Sequence, residues 1–226
     1  MKTLSKIIVL LVVSQLSISC FLNGAKGNGD VVITQRDIPK DFIKIDASAG
    51  LNVILKIEDR TSVKVETDEN LQELITTHVK NGVLYLSVKS FIRSSSAKNV
   101  YVSMPGVNGL MAHSGAAIKT QDEIRSKELE LKASSGGNLN LVIVAKEVNG
   151  DASSGGSVLL RGECDNFMVN ASSGGNIQAS RFEVEKCDAK ASSGGNISVN
   201  VKDGLITDIS SGGSVRNTRE EQNLSR

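Results

Sequence analysis

Tryptophan is absent from this 226-residue chain, which holds only two tyrosines and five phenylalanines. A strip of exposed aromatic rings for stacking on sugars is therefore not expected. Proline occurs twice, so little interrupts extended strands. Neither charge dominates: 26 Lys and Arg stand against 25 Asp and Glu. That leaves no basic surplus for nucleic acid and no acidic tail. Histidine occurs twice, at His78 and His113, and cysteine three times. A zinc site needs convergent Cys and His, and Cys164 has no His within the coils. What is plentiful is glycine, at 21 positions, among short alternating runs of Val, Ile, Ser, Thr and Asn. Such alternation favours strands in one domain.

The first residues read as a targeting segment. Lys2 and Lys6 precede the apolar run Ile7–Val13, which is too short to span a bilayer. "LSISC" follows and ends at Cys20; small residues before a Cys there resemble the lipobox of bacterial lipoproteins. That resemblance implies cleavage after residue 19, acylation of Cys20 and attachment to a membrane. Residues 20–30 then read as a lipidated Cys and a flexible tether.

"ASSGG" begins at Ala133, Ala152, Ala171 and Ala191, and "ISSGG" at Ile209, spacings of 19, 19, 20 and 18. Weaker copies are "AHSGAAI" from Ala112 and "ASAGLNV" from Ala47. Aligned on the first residue, columns at −4, −2, +6 and +8 are mostly apolar. The +6 column reads Leu139, Val158, Ile177, Ile197 and Val215. Each copy thus holds two period-two strands around one corner. A coil this short buries its apolar face only by stacking on its neighbours, about 4.8 Å away. The fold expected is all-β: a single-stranded, right-handed parallel β-helix. The corner residues are Ser134, Gly136, Gly137; Ser153, Gly155, Gly156; Ser172, Gly174, Gly175; Ser192, Gly194, Gly195; and Gly212, Gly213. Glycine there supplies dihedrals other residues avoid and leaves room for tight stacking. The column Asn138, Asn176, Asn196 is expected to form hydrogen-bonded ladders between coils.

Residues 58–106 read as an insertion or N-terminal strand/helix cap on a solenoid spanning 31–217. Within it Thr61–Asp68 is a strand, Glu69–His78 a short helix, and Val79–Val88 a hairpin turning at Asn-Gly. Asn99–Pro105 is another strand, and the polar end Arg216–Arg226 blunts the far edge, with 218–226 as a tail.

The run "FIKIDASAGLNVILKI…SVKVETDENLQELI…VKNGVLYLSV", followed by repeated "SSGGNI", resembles the putative auto-transporter adhesin, head GIN domain family, over about residues 31–217. The resemblance implies a Bacteroidetes lipoprotein or secreted protein with a β-helix fold and an adhesive role, and it brings no catalytic residues.

Candidate chemistry is sparse. His113 and Ser114 are adjacent, and neighbours on a strand point to opposite faces, so a Ser–His pair is not expected. Lys132 beside Asp151, and Lys190 beside Asp208, read as cross-strand ion pairs rather than acid–base pairs. The residue after each glycine pair is Asn or Ser, never a carboxylate, so neither Ca²⁺ nor another metal or cofactor is called for. Cys164 and Cys187 fall three columns apart, beyond disulfide reach, and read as buried thiols. Phe167 is inward and Phe182 isolated; Met168 and Ile206 face outward. The expected function is a non-enzymatic, lipid-anchored envelope protein of the outer membrane, an adhesin or protein-binding scaffold. The alternative is a carbohydrate-active or glycan-binding β-helix. Expected partners are the membrane, an envelope or host protein or glycan, and a second copy, but not nucleic acid.

Overall fold

The computed structural model describes residues 24–219. Cys20, the leader before it and residues 220–226 lie outside them. β1 (Ala25–Lys26) pairs with a later strand, and β2 (Val31–Arg36) follows. β3 (Lys44–Ala47) and β4 (Asn52–Ile57) flank the corner at Ala47. β5 (Ser62–Asp68) runs antiparallel to β2. The helix expected over Glu69–His78 does not form. A single 3₁₀ turn covers Glu69–Leu71, and β6 (Ile75–Lys80) takes the rest. The β-branched run Ile75, Thr76, Thr77 favours extension, and the partner across the turn captures it. That partner is β7 (Val83–Val88), joined by Asn81 and Gly82 at φ 52° and 72°, the left-handed dihedrals of a two-residue hairpin.

β8 (Ile92–Ser94) pairs with β1, and β9 (Lys98–Met104) pairs parallel with β4. β7 likewise pairs parallel with β3. Residues 83–104 therefore form a coil lying outside 44–57, with β5 and β2 beyond β9 and β6 beyond β7. The chain then returns to the other side. β10 (Gly109–Ala112) pairs with β3, and β11 (Ala117–Thr120) with β4. β12 (Ile124–Ser134), β13 (Asn138–Ser153), β14 (Ser157–Ala171), β15 (Asn176–Ala191), β16 (Asn196–Ile209) and β17 (Ser214–Asn217) complete a parallel β-solenoid.

The columns read from the repeat coincide with the register. Leu139, Val158, Ile177, Ile197 and Val215 are successive partners, and Val53 and Ile118 continue the row. The first four are at most 2 % exposed. Phe182 is not isolated: it is buried and meets Phe167 edge-on, ring centroids 5.6 Å apart. It stands opposite Gly162, where a Cβ would lie 2.0 Å from Ile143 O of the neighbouring coil.

The segment read as a tether is fixed from Gly24 onward. Gly27 N–H donates to Ser94 O, and Asn28 N–H to Asn70 Oδ1. Asp68, fully buried, accepts the amides of Gly29 and Ser96, each at 2.7 Å, and the Ser96 hydroxyl at 3.0 Å. Burial alone would raise its carboxyl; these donors outweigh it and hold it below the ordinary value. At the other end, the Asn217 carboxamide occupies both the N–H and C=O of Val201, and Thr218 donates to Val199 O. A polar side chain thus closes backbone groups that an edge leaves open.

Candidate functional site

Each strong corner is one turn. The second serine is left-handed, at φ 49° in Ser135, and so is the following glycine, at 75° in Gly136. Gly137 N–H then donates to Ser134 O at 2.8 Å, and the same bond at the same length closes the other four glycine-pair corners. A left-handed serine was not legible in the repeat, because serine only occasionally adopts that region. The two glycines serve different ends. A Cβ on Gly136 meets nothing, but the backbone is left-handed; a Cβ on Gly137 would lie 2.0 Å from Ala112 O of the coil beneath. Where Ala116 and Leu51 replace the second glycine, the closing bond lengthens to 3.1 and 3.3 Å. The asparagine column does not bridge coils as expected. Asn138 and Asn196 each donate to the glycine carbonyl two residues earlier, within their own corner.

Those corners separate faces of different chemistry. Before the corner, outward rows carry Met168 and Ile206, both exposed as read, and a charge cluster. Lys132 stands in register with Asp151, but its ion partner is Glu130 on its own strand, 2.5 Å away, while Asp151 accepts from Asn170. Lys44 also reaches Glu130, at 2.7 Å, from two coils away. Gly109 stands between them, and a Cβ there would lie 2.8 Å from Lys44 Cγ and Cδ, so a side chain at this position would push the lysine off its present path. Hydrogen bonds from Lys132 and Lys44 lower the Glu130 carboxyl to about 2. A lowered folded value means the stabilisation is complete above about 4.5, the ordinary value, and is lost as pH falls towards 2. Solvent screening at this partly exposed group leaves about 1 kcal/mol. Glu130→Gln is expected to flatten the stability–pH curve in that window while leaving the rest of the curve's shape intact, measured by urea titration at each pH. An unchanged slope would remove the cluster from the account.

His113 and Ser114 do meet, contrary to expectation. Ser114 is the left-handed residue of its corner, φ 51°, so its side chain swings to the histidine's side. His113 Nδ1 lies 3.2 Å from Ser114 Oγ, and Nε2 3.0 Å from Asp46 Oδ1 in the adjoining coil. The order is that of a nucleophilic triad, but the corner's own amides are engaged elsewhere. The Gly115 and Ala116 amides are taken by Ser135 O and His113 O, so they form no oxyanion hole. The chain of bonds ties two coils together.

After the corner, two outward rows run across the sheet. One reads Glu66, Asn99, Asn52, Ala117, Asn138, Ser157, Asn176, Asn196 and Ser214; beside it, from Tyr101, run Ile54, Lys119, Asn140, Leu159 and Gln178. Between Asn99 and Gln178 they line a groove of about 750 Å³ whose wall carries Lys119 and no carboxylate. Tyr101 donates its hydroxyl to Glu66 Oε2 at 2.8 Å, and Asn99 donates to the same oxygen at 2.6 Å. The hydrogen bond to Glu66, with burial and charge, raises the phenol and keeps it neutral. Tyr101 was passed over in the sequence because it lies outside the strong repeat; its place in an alternating strand one coil out was the available signal. Among the described residues no group of three metal-ligating side chains occurs.

A family model described as "Putative auto-transporter adhesin, head GIN domain" matches residues 41–219. Among solved structures, a putative adhesin from Bacteroides fragilis is 18 % identical, with 86 % of this chain and all of that one covered at TM-score 0.78. A putative lipid binding protein from Parabacteroides distasonis is 17 % identical, covering 86 % and 99 % at TM-score 0.69. A putative adhesin from Parabacteroides merdae is 15 % identical, covering 86 % and 99 % at 0.56. At these identities the likeness is one of fold. No curated protein matches the chain.

Proposed function

The chain belongs to the head GIN domain family of putative auto-transporter adhesins, and from that premise we propose that it is a non-enzymatic, lipid-anchored envelope protein displaying a rigid adhesive face. The observation that carries this reading is the pair of rows after the corner, mostly amide, hydroxyl and small apolar side chains, repeated coil upon coil on turns closed by hydrogen bonds. A surface carried on a backbone already fixed loses little backbone entropy when a partner binds. The groove within it has no carboxylate, whereas glycoside hydrolysis needs two facing each other across the bond. That lining supports display over turnover.

Cys20 supplies the anchor. Only three residues separate it from Gly24, where the chain becomes fixed by β1 and Asp68, so the solenoid stands close to the outer membrane that holds it. Globomycin is expected to accumulate a precursor still carrying Met1–Ser19, seen as a slower band; unchanged processing would reject lipidation at Cys20. Protease added to intact cells is expected to release fragments of the solenoid. Complete protection, with cleavage after lysis, would reject surface display and leave a periplasmic component.

A further inference from the structure

We infer that the groove between Tyr101 and Gln178 binds a neutral, linear polysaccharide lying across the strands, along the solenoid axis. The inference rests on the display reading and names the ligand class of that same face.

The argument begins with the lining. Asn52, Asn99, Asn138, Asn140 and Gln178 contribute carboxamides, and four of them stand exposed, Asn99 being half-buried. A carboxamide holds a donor and an acceptor in one plane, which matches adjacent hydroxyls that both give and accept hydrogen bonds. Between the amides lie small apolar surfaces, Ala117 and Leu159, which suit the C–H faces of a sugar ring. Tyr101 adds a half-buried ring held in advance by Glu66, so stacking on it costs little side-chain entropy.

Charge excludes the alternatives. Lys119 is the single charged group in the lining. Nucleic acid needs many cations along its track, and so does an acidic polysaccharide. A lipid chain needs a lining without carboxamides. The geometry favours a polymer: positions in register recur at about 4.8 Å steps across six strands, β9, β4, β11, β13, β14 and β15, and Asn99, Asn52, Asn138 and Ser157 keep an amide or hydroxyl in one row, broken at Ala117. A chain of sugar units lying along that line meets similar chemistry unit after unit, so affinity grows with length.

The test uses the protein without its leader and four neutral hexasaccharides: cellohexaose, xylohexaose, laminarihexaose and mannohexaose, with hexagalacturonate as the acidic comparison. Calorimetry is expected to detect binding of at least one neutral hexasaccharide, stronger than its trisaccharide. Amide shift changes are expected to centre on Asn52, Tyr101 and Asn140. Tyr101→Ala is expected to weaken binding about tenfold or more, the loss of one stacked ring. Asn140→Ala, on an exposed side chain, keeps the fold and weakens it severalfold; Tyr101→Phe retains the ring and most of the binding. Met168→Ser, on another face, changes nothing. Absence of binding to all four neutral probes at millimolar concentration would overturn the inference. So would preference for hexagalacturonate, or shifts centred away from the groove. Failure here leaves display intact as protein adhesion, which the shaving experiment judges by itself; protection from shaving would reject display while the soluble protein's binding still judged the groove.

Discussion

Gly137→Ala is expected to destabilise the solenoid by about 3 kcal/mol or more, at or above the upper end of overpacking costs because the clash is with backbone. Gly136→Ala, one residue away, is expected to cost only about 1–2 kcal/mol, the penalty of a left-handed alanine. The difference has a simple source. Gly136 has φ 75° and open space where a Cβ would stand. Gly137 has no left-handed requirement, but its Cβ would sit 2.0 Å from Ala112 O and 2.4 Å from the carbonyl carbon. Neither atom belongs to a flexible side chain, so the coils must separate locally. Gly156→Ala and Gly175→Ala face Ala133 O and Ala152 O at 2.1 and 2.0 Å and are expected to behave alike. Urea midpoints report the cost, and hydrogen exchange shows whether the loss spreads to neighbouring coils, as nearest-neighbour stacking requires. Equal costs at Gly136 and Gly137 would mean that the close approach between coils does not exist in solution.

Cys164 and Cys187 are expected to react with iodoacetamide about a thousandfold more slowly in the folded protein than in urea. Burial raises the Cys164 thiol from 9 to about 12, with the charges of Cys187 and Asp165 adding to it; burial and Asp188 do the same at Cys187. Three pH units remove about a thousandfold of thiolate, the species that reacts. Steric closure adds to this, since both side chains are under 5 % exposed. The two also cannot join: Cys187 stands opposite Phe167, and Cys164 opposite Val184. A disulfide-forming thiol oxidant is therefore expected to join neither, with both free thiols appearing on denaturation. Rapid labelling of either in the folded protein would show that the coil around Phe167 opens readily.

The solenoid was legible because its signals are local and repeated. A corner every 18 to 20 residues and period-two alternation are properties of the chain, and together they place Leu139, Val158, Ile177 and Ile197 in one row. The buried thiols follow from the same columns. Glu69–His78 misled because helix propensity is weak beside a partner strand, and β7 was there to pair with Ile75–Lys80.

By itself, then, the sequence determined that stacked coils form and which side chains point inward. Tertiary structure alone decided what happens between coils. It put residues 83–104 outside 44–57, brought Lys44 past Gly109 to Glu130, turned Ser114 towards His113, and set Tyr101 beside Ile54 at the head of a groove whose lining holds one lysine and no carboxylate. Side-chain alternation is written into consecutive residues. Which coil lies against which, and what then shares a surface, depends on where the chain goes after each turn.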